Sequence, residues 1–137
     1  MLNKNKLSIK KIVIPNSNIA ILKENSILKE ALELMNKYKY GVAFCINNKG
    51  KLMGVITDGD IRRKILKVQK PFSALLTDDI KIHMNKKPKK IFINSNLTTA
   101  LNKMRKYKIW DLPVISRDNR LQGMLHLHPI VNLFLKR

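Results

Sequence analysis

Apolar side chains recur at Ile27, Leu28, Ala31, Leu34, Met35 and Tyr38, with polar or charged residues between them. This is the i, i+3/i+4, i+7 spacing of an amphipathic helix over residues 27–38. Asn25 or Ser26 supplies the N-cap oxygen in this reading. Val42–Ile46 is continuously apolar, as in a strand buried on both faces. Asn47–Gly50 carries hairpin-turn chemistry, and Leu52–Thr57 forms the returning strand. Asp60 then opens a second helix over 61–68, its carboxylate at the positive end of the helix dipole.

The pattern occurs twice. Shifting the chain by 69 positions places Asn25, Ser26 and Leu28 on Asn94, Ser95 and Leu97. Ala31, Leu32 and Met35 fall on Ala100, Leu101 and Met104, and Lys37, Tyr38 and Lys39 fall on Lys106, Tyr107 and Lys108. Ile46, Leu52, Gly54 and Ile61 fall on Ile115, Leu121, Gly123 and Ile130. One constant offset without a gap points to duplication. The second copy is expected to contain a helix over 96–107, a strand at Leu112–Ile115 and a turn at 116–120. A strand at Leu121–His126 and a helix over 130–136 complete it. The fold class is α+β, two helix–strand–strand–helix units related by a pseudo-twofold axis and packed sheet against sheet. Boundaries follow from the punctuation: a leader at 1–18, a first unit at 19–68, a linker at 69–84 and a second unit at 85–137. Pro71, Pro88 and the basic run 86–90 mark loop, with one short helix at 73–83. The leader is expected to add a strand at Ile12–Ile14 or a short helix.

Composition narrows the classes. A chain of 137 residues with 45% hydrophobic content can fold as one domain or two small ones. The single cysteine, Cys45, excludes an internal disulfide and a Cys-cluster metal site, and it reads as inert core. No apolar run reaches the ~18 residues of a membrane span, and the N-terminus lacks a secretory h-region. A cytoplasmic protein with no membrane association is expected. The formal charge of +19 favours anionic partners, although a Lys-, Asn- and Ile-rich composition also produces such a charge without function.

Gly54-Val55-Ile56-Thr57-Asp58-Gly59-Asp60-Ile61, closing a helix–strand–turn–strand–helix unit, resembles the CBS domain. Two units in tandem resemble the CBS pair, or Bateman module, over residues 15–135. Thr57-Asp58-Gly59-Asp60-Ile61-Arg62-Arg63, Met84, and Gly123-Met124-Leu125-His126-Leu127-His128 are similar to the CBS pair of arabinose 5-phosphate isomerases of 3-deoxy-octulosonate and capsule-sugar synthesis. Similar segments precede some sugar-phosphate nucleotidyltransferases. In both families catalysis resides in another domain, absent from these residues. The resemblance therefore implies ligand sensing and no enzyme activity, with a catalytic-domain partner expected.

The resemblance gives Thr57 a hydrogen bond to phosphate and Asp60 the two hydroxyls of a ribose. Free N–H groups at a helix start favour the same anion. Gly59 permits close backbone approach, and Arg62 or Arg63 can clamp a phosphate. Asp58 joins the candidate set, its alternative being a solvated loop carboxylate. Capping and strand termination alone would also explain Thr57 and Asp60. Lys39 and Lys108 complement the C-terminal ends of their helices and could reach an anion. Trp110 is placed at the edge of the cleft. In the second copy His126 replaces Thr57 and Pro129 replaces Asp60, so the ribose acceptor is lost. The isomerase CBS pairs carry the His-x-His followed by Asp, from which Pro129 departs. His126 and His128 would share one face of a strand. They read as partners for a phosphate or carboxylate, as structural histidines, or as half of a metal site; two ligands make no complete one.

The expected function is a regulatory CBS module that senses a nucleotide or nucleotide-sugar in the cleft between units. AMP, ATP or a CMP-sugar is the candidate ligand, with no cofactor and no metal. A homodimer is implied, using Ile61, Ile65 and Leu66 or Ile130, Leu133 and Phe134. The alternatives are a ligand-free dimerisation or docking module, and non-specific nucleic-acid binding through the basic surface. The last lacks any recognition motif, and aromatic residues are only 6% of the chain, thin for base stacking.

Overall fold

A computed structural model describes residues 6–135. It divides into two compact units, one formed by 17–88 and the other by the N-terminal segment through Asn16 together with the chain from Lys89 onward. Both are α+β.

In the 17–88 unit, strand β2 (Ala20–Lys23) runs parallel to β3 (Val42–Ile46), which pairs antiparallel with β4 (Leu52–Thr57). Between β2 and β3 lies α1 (Leu28–Tyr38), which buries Leu28, Ala31 and Met35. These positions meet Leu22, Ala43, Cys45 and Ile56 in one core. The turn closes with Gly50 at a φ of 79°, while Asn47 Oδ1 accepts from the Lys49 and Lys51 N–H groups at 2.9 Å. Helix α1 begins without a side-chain cap, because Ile27 occupies the N-cap position. Asn25 and Ser26 therefore do not cap it; Ser26 is buried, and its carbonyl accepts from the Ile80 N–H.

Helix α2 spans Asp58–Lys67, and the segment beyond it carries two short helices, α3 (Phe72–Leu76) and α4 (Ile80–His83), in place of one. Leu75 and Ile80 insert into the same core as α1. Asp78 ties this segment together. Its carboxylate meets Lys70 Nζ at 2.7 Å and His83 Nε2 at 2.8 Å. The hydrogen bond from Lys70, and after it the one from His83, hold Asp78 below the usual carboxylate range. A lowered folded-state pKa stabilises above the unfolded pKa and is lost as pH falls through the folded one. Stability should decline below about pH 4. Asp78→Asn should flatten that acid limb in urea titrations run across pH; an unchanged limb would place the acid sensitivity elsewhere.

The other unit repeats the plan. Strand β5 (Ile91–Phe92) is parallel to β6 (Asp111–Ile115), which pairs antiparallel with β7 (Leu121–His126). The offset holds at atomic register: Leu22 faces Cys45, and Ile91 faces Val114. Both hairpins also shift register at one position, Cys45/Ile46 and Val114/Ile115. Helix α5 (Leu97–Tyr107) is capped by Asn96, whose Oδ1 accepts from the Thr99 N–H at 2.9 Å. Helix α6 spans Leu127–Leu135, three residues earlier than the periodicity predicts at its start. Pro129 sits in its first turn, where a missing N–H costs nothing.

Within the described residues the leader forms a 3-10 turn at Ile9–Lys11 and strand β1 (Ile14–Pro15), which pairs antiparallel with β7. Ile9 is fully buried with Leu97, Leu112 and Leu125. The Ile9 N–H donates to the Ser95 carbonyl and the Leu97 N–H to the Leu7 carbonyl, at 3.2 and 2.8 Å. Residues 1–5 of the expected leader lie outside the described residues.

Candidate functional site

Thr57 ends β4 in an extended conformation and is the N-cap of α2. Its Oγ1 accepts from the Asp60 N–H at 3.2 Å, and Asp60 Oδ2 accepts from the Thr57 N–H at 3.0 Å. This reciprocal pair is a capping box. Asp60 is consequently at the third helical position and is not the N-cap expected from sequence. Its second oxygen, Oδ1, accepts from Arg63 Nη2 at 2.8 Å. Gly59 makes room for that contact, since a Cβ there would lie 3.1 Å from Arg63 Nη1.

The chemistry of this corner is specific. Thr57 accepts through Oγ1 but retains its hydroxyl proton for a further acceptor. Asp60 carries one bond on each oxygen and keeps a second lone pair on each. Of the first three N–H groups of α2, those of Asp58 and Asp60 donate to Gly41 and Thr57, which leaves the Gly59 N–H for an anion approaching the helix start. Arg62 is exposed beside the engaged Arg63. Asp58, also exposed, begins the helix, and its N–H donates to the Gly41 carbonyl at 3.0 Å.

Lys39 and Lys108 occupy matching places. Each is the C-cap of its helix in the left-handed region, at φ 63° and 55°, with its N–H bonded to the carbonyl of Met35 or Met104. Gly is the usual residue there, and a side chain in that conformation costs on the order of 1 kcal/mol. Lys39 borders an open cavity of about 500 Å³ that also touches Asp58; Lys108 borders one of about 710 Å³. Lys39 and Asp58 thus meet at one cavity.

The second copy is built differently. His126 and His128 do not share a strand face: β7 ends at His126, and His128 lies in the first turn of α6 and is exposed. The chain turns into a helix between them, so the two-residue alternation of a strand no longer applies. His126 Nδ1 instead meets Asp111 Oδ1 at 2.5 Å across the hairpin. Asp111 stands where the first copy has Val42, and this cross-strand pair replaces the capping box. Sequence reasoning missed Asp111. Counting outward from the turn at 116–120 would have set it opposite His126. Among the described residues no group of three His, Cys, Asp or Glu could hold a metal ion.

Other expectations resolve locally. Burial, followed by the Glu24 carboxylate, pushes the Cys45 thiol up, and the sulfur lies in the first core. Trp110 is 69% exposed at the wall of the larger cavity. Ile61 and Ile130 are buried in the cores of their own units and are unavailable to a partner. Ile65, Leu66, Val131 and Phe134 are exposed. No helix among the described residues is long and apolar enough to cross a membrane.

Two α+β repeats, each ordered strand–helix–strand–strand–helix with a helix start at the end of its hairpin, define a tandem-repeat module. The chain belongs to the CBS domain family, whose signature matches residues 9–67 and 78–133. An uncharacterised protein of Helicobacter pylori strain J99 is 32% identical over 127 residues, 92% of this chain and 37% of its own length. The arabinose 5-phosphate isomerase KdsD of Francisella tularensis is 30% identical over 135 residues, 95% of this chain and 38% of its own length. The chain therefore spans less than two fifths of either relative. Among solved structures, CBSX2 in complex with AMP superposes with a TM-score of 0.81 at 25% identity, over 94% of this chain and 96% of that one.

Proposed function

We propose that the chain is a regulatory, non-catalytic CBS pair that binds an adenine nucleotide at the start of α2. The observation that carries this reading is the Thr57–Asp60 capping box. It fixes a hydroxyl donor, two carboxylate oxygens and the Gly59 N–H at one helix terminus, beside the exposed Arg62. A helix terminus attracts phosphate, Arg62 adds charge, and Asp60 accepts from ribose hydroxyls. The AMP complex of CBSX2 supports an adenine nucleotide as the ligand. Likeness to KdsD over 95% of the chain supports a role beside a sugar-phosphate isomerase, in which a CMP-sugar would be the effector. The setting is cytoplasmic. The exposed apolar residues of α2 and α6, with Leu66 77% exposed, support a homodimer.

Thermal melting with AMP, ATP, a CMP-sugar and arabinose 5-phosphate tests the reading, with sedimentation to establish the oligomeric state. Saturating AMP at about 100 times its Kd stabilises by about 2.7 kcal/mol, a rise of several degrees. Asp60→Ala should abolish the rise while lowering intrinsic stability by about 1 kcal/mol through loss of the capping box. Arg62→Gln leaves the box intact and should still weaken binding. A CMP-sugar shift without an AMP shift would favour the isomerase effector. No shift with any ligand would leave the α2 start as a purely structural cap.

A further inference from the structure

Each unit has an open cavity at the C-terminal end of its first long helix, and the two are copies. Leu32, Met35 and Lys39 line the first; Leu101, Met104 and Lys108 line the second, each 69 residues on. The remaining positions also correspond, but their chemistry has diverged. Asn36 is replaced by Arg105, Tyr40 by Ile109, Gly41 by Trp110, and Asp58 by Leu127. Two of these changes face each other. In the first copy a Cβ on residue 41 would stand 2.7 Å from Asp58 Oδ2, so the carboxylate packs close against the glycine. In the second copy the carboxylate has become Leu127, and the facing position holds an indole.

The net effect is a reversal of character. The first cavity balances Lys39 against Asp58. The second has Arg105 and Lys108 and no acid on its wall, and Leu101, Ile109 and Leu127 supply its apolar lining. Arg105 and Lys108 have no salt bridge among the described residues. A volume of about 710 Å³ lies within the range of small-molecule sites. The exposed Trp110 face suits a flat apolar body, and two unpaired cations suit an anionic head.

We propose that the cavity beside Trp110 binds a small amphiphilic anion with a planar apolar body and a single carboxylate, sulfonate or phosphate head. The apolar body packs against Leu101, Ile109, Leu127 and the indole, and the head meets Arg105 and Lys108. This site is built from residues of the unit that does not contain α2, and it does not rest on the nucleotide reading.

Trp110 is the only tryptophan in the chain, so it reports on its own cavity. The probe is 8-anilinonaphthalene-1-sulfonate, followed by energy transfer from Trp110. The expected result is saturable transfer at one probe per chain. Affinity should fall on the order of tenfold or more in Arg105→Gln/Lys108→Asn. Leu127→Asp, which restores the carboxylate of the first copy, should abolish binding. Lys39→Asn should leave it unchanged, and added AMP should not compete. Far-ultraviolet melting confirms that each variant is folded. The proposal is overturned if the folded double variant binds equally well or if AMP displaces the probe. It is also overturned if Trp110 emission shifts blue with protein concentration alone, which would show a second copy filling the cavity.

Discussion

Gly123→Ala should lower stability by about 3 kcal/mol or more, whereas Gly54→Ala at the matching position should cost about 1–2 kcal/mol. Gly123 has a φ of 152°, within the range that L side chains rarely adopt. A Cβ there would stand 2.2 Å from the Ile14 carbonyl oxygen and 2.9 Å from Val13 Cγ2. The first of these atoms is backbone, so relief requires separating β1 from β7. At Gly54 the nearest atom is Met84 Sδ at 2.6 Å, the end of a flexible side chain, and the closest backbone atom is Asn85 O at 3.0 Å. Methionine can swing aside at modest cost. Urea unfolding of the two variants measures the difference; equal losses would show that β1 yields as readily as a side chain.

Ile9→Ala should cost about 2–5 kcal/mol, the range for emptying a fully buried aliphatic site. Ile9 is 0% exposed and packs among Leu97, Leu112 and Leu125, although it lies more than 80 residues away in sequence. Lys10→Ala, one residue later on the exposed side, should be neutral within about 0.5 kcal/mol. The comparison is made by denaturant unfolding with a probe in the 89–135 unit, for which Trp110 serves. Similar small effects for both variants would mean that the N-terminal segment docks weakly and contributes little to that unit.

The elements legible in the sequence were those with long periodic signals. Helices α1 and α5 each bury three apolar positions of one stripe, and the hairpins carry turn residues between apolar runs. Strands β2 and β5 were not legible. They are four and two residues long, and their parallel partners lie across an intervening helix, so no local pattern marks them. In the N-terminal segment a strand or short helix was expected, but the burial of Ile9 was not legible, because the residues that cover it are distant in sequence. At the α2 start the motif singled out Thr57 and Asp60, which the fold brings together, but assigned the N-cap to Asp60. The capping box places Thr57 in that role and uses Asp60 to bond back to it. In the second copy, reading His126 and His128 as neighbours on a strand failed because α6 begins between them. The partner of His126 comes instead from the opposite strand of the hairpin.

The interleaving of the two units has a consequence for synthesis. The 17–88 unit is continuous in the chain, and all its strands and helices have been synthesised before residue 89 is made. The other unit is split: Ile9 and β1 are made ahead of the 17–88 unit, but the hairpin and helices that cover them follow more than 70 residues later. At ordinary elongation rates this delay is roughly 4–15 s. During that time Ile9 and β1 have no native partners. The 17–88 unit can thus be complete before Ile9 and β1, made ahead of it, find their place.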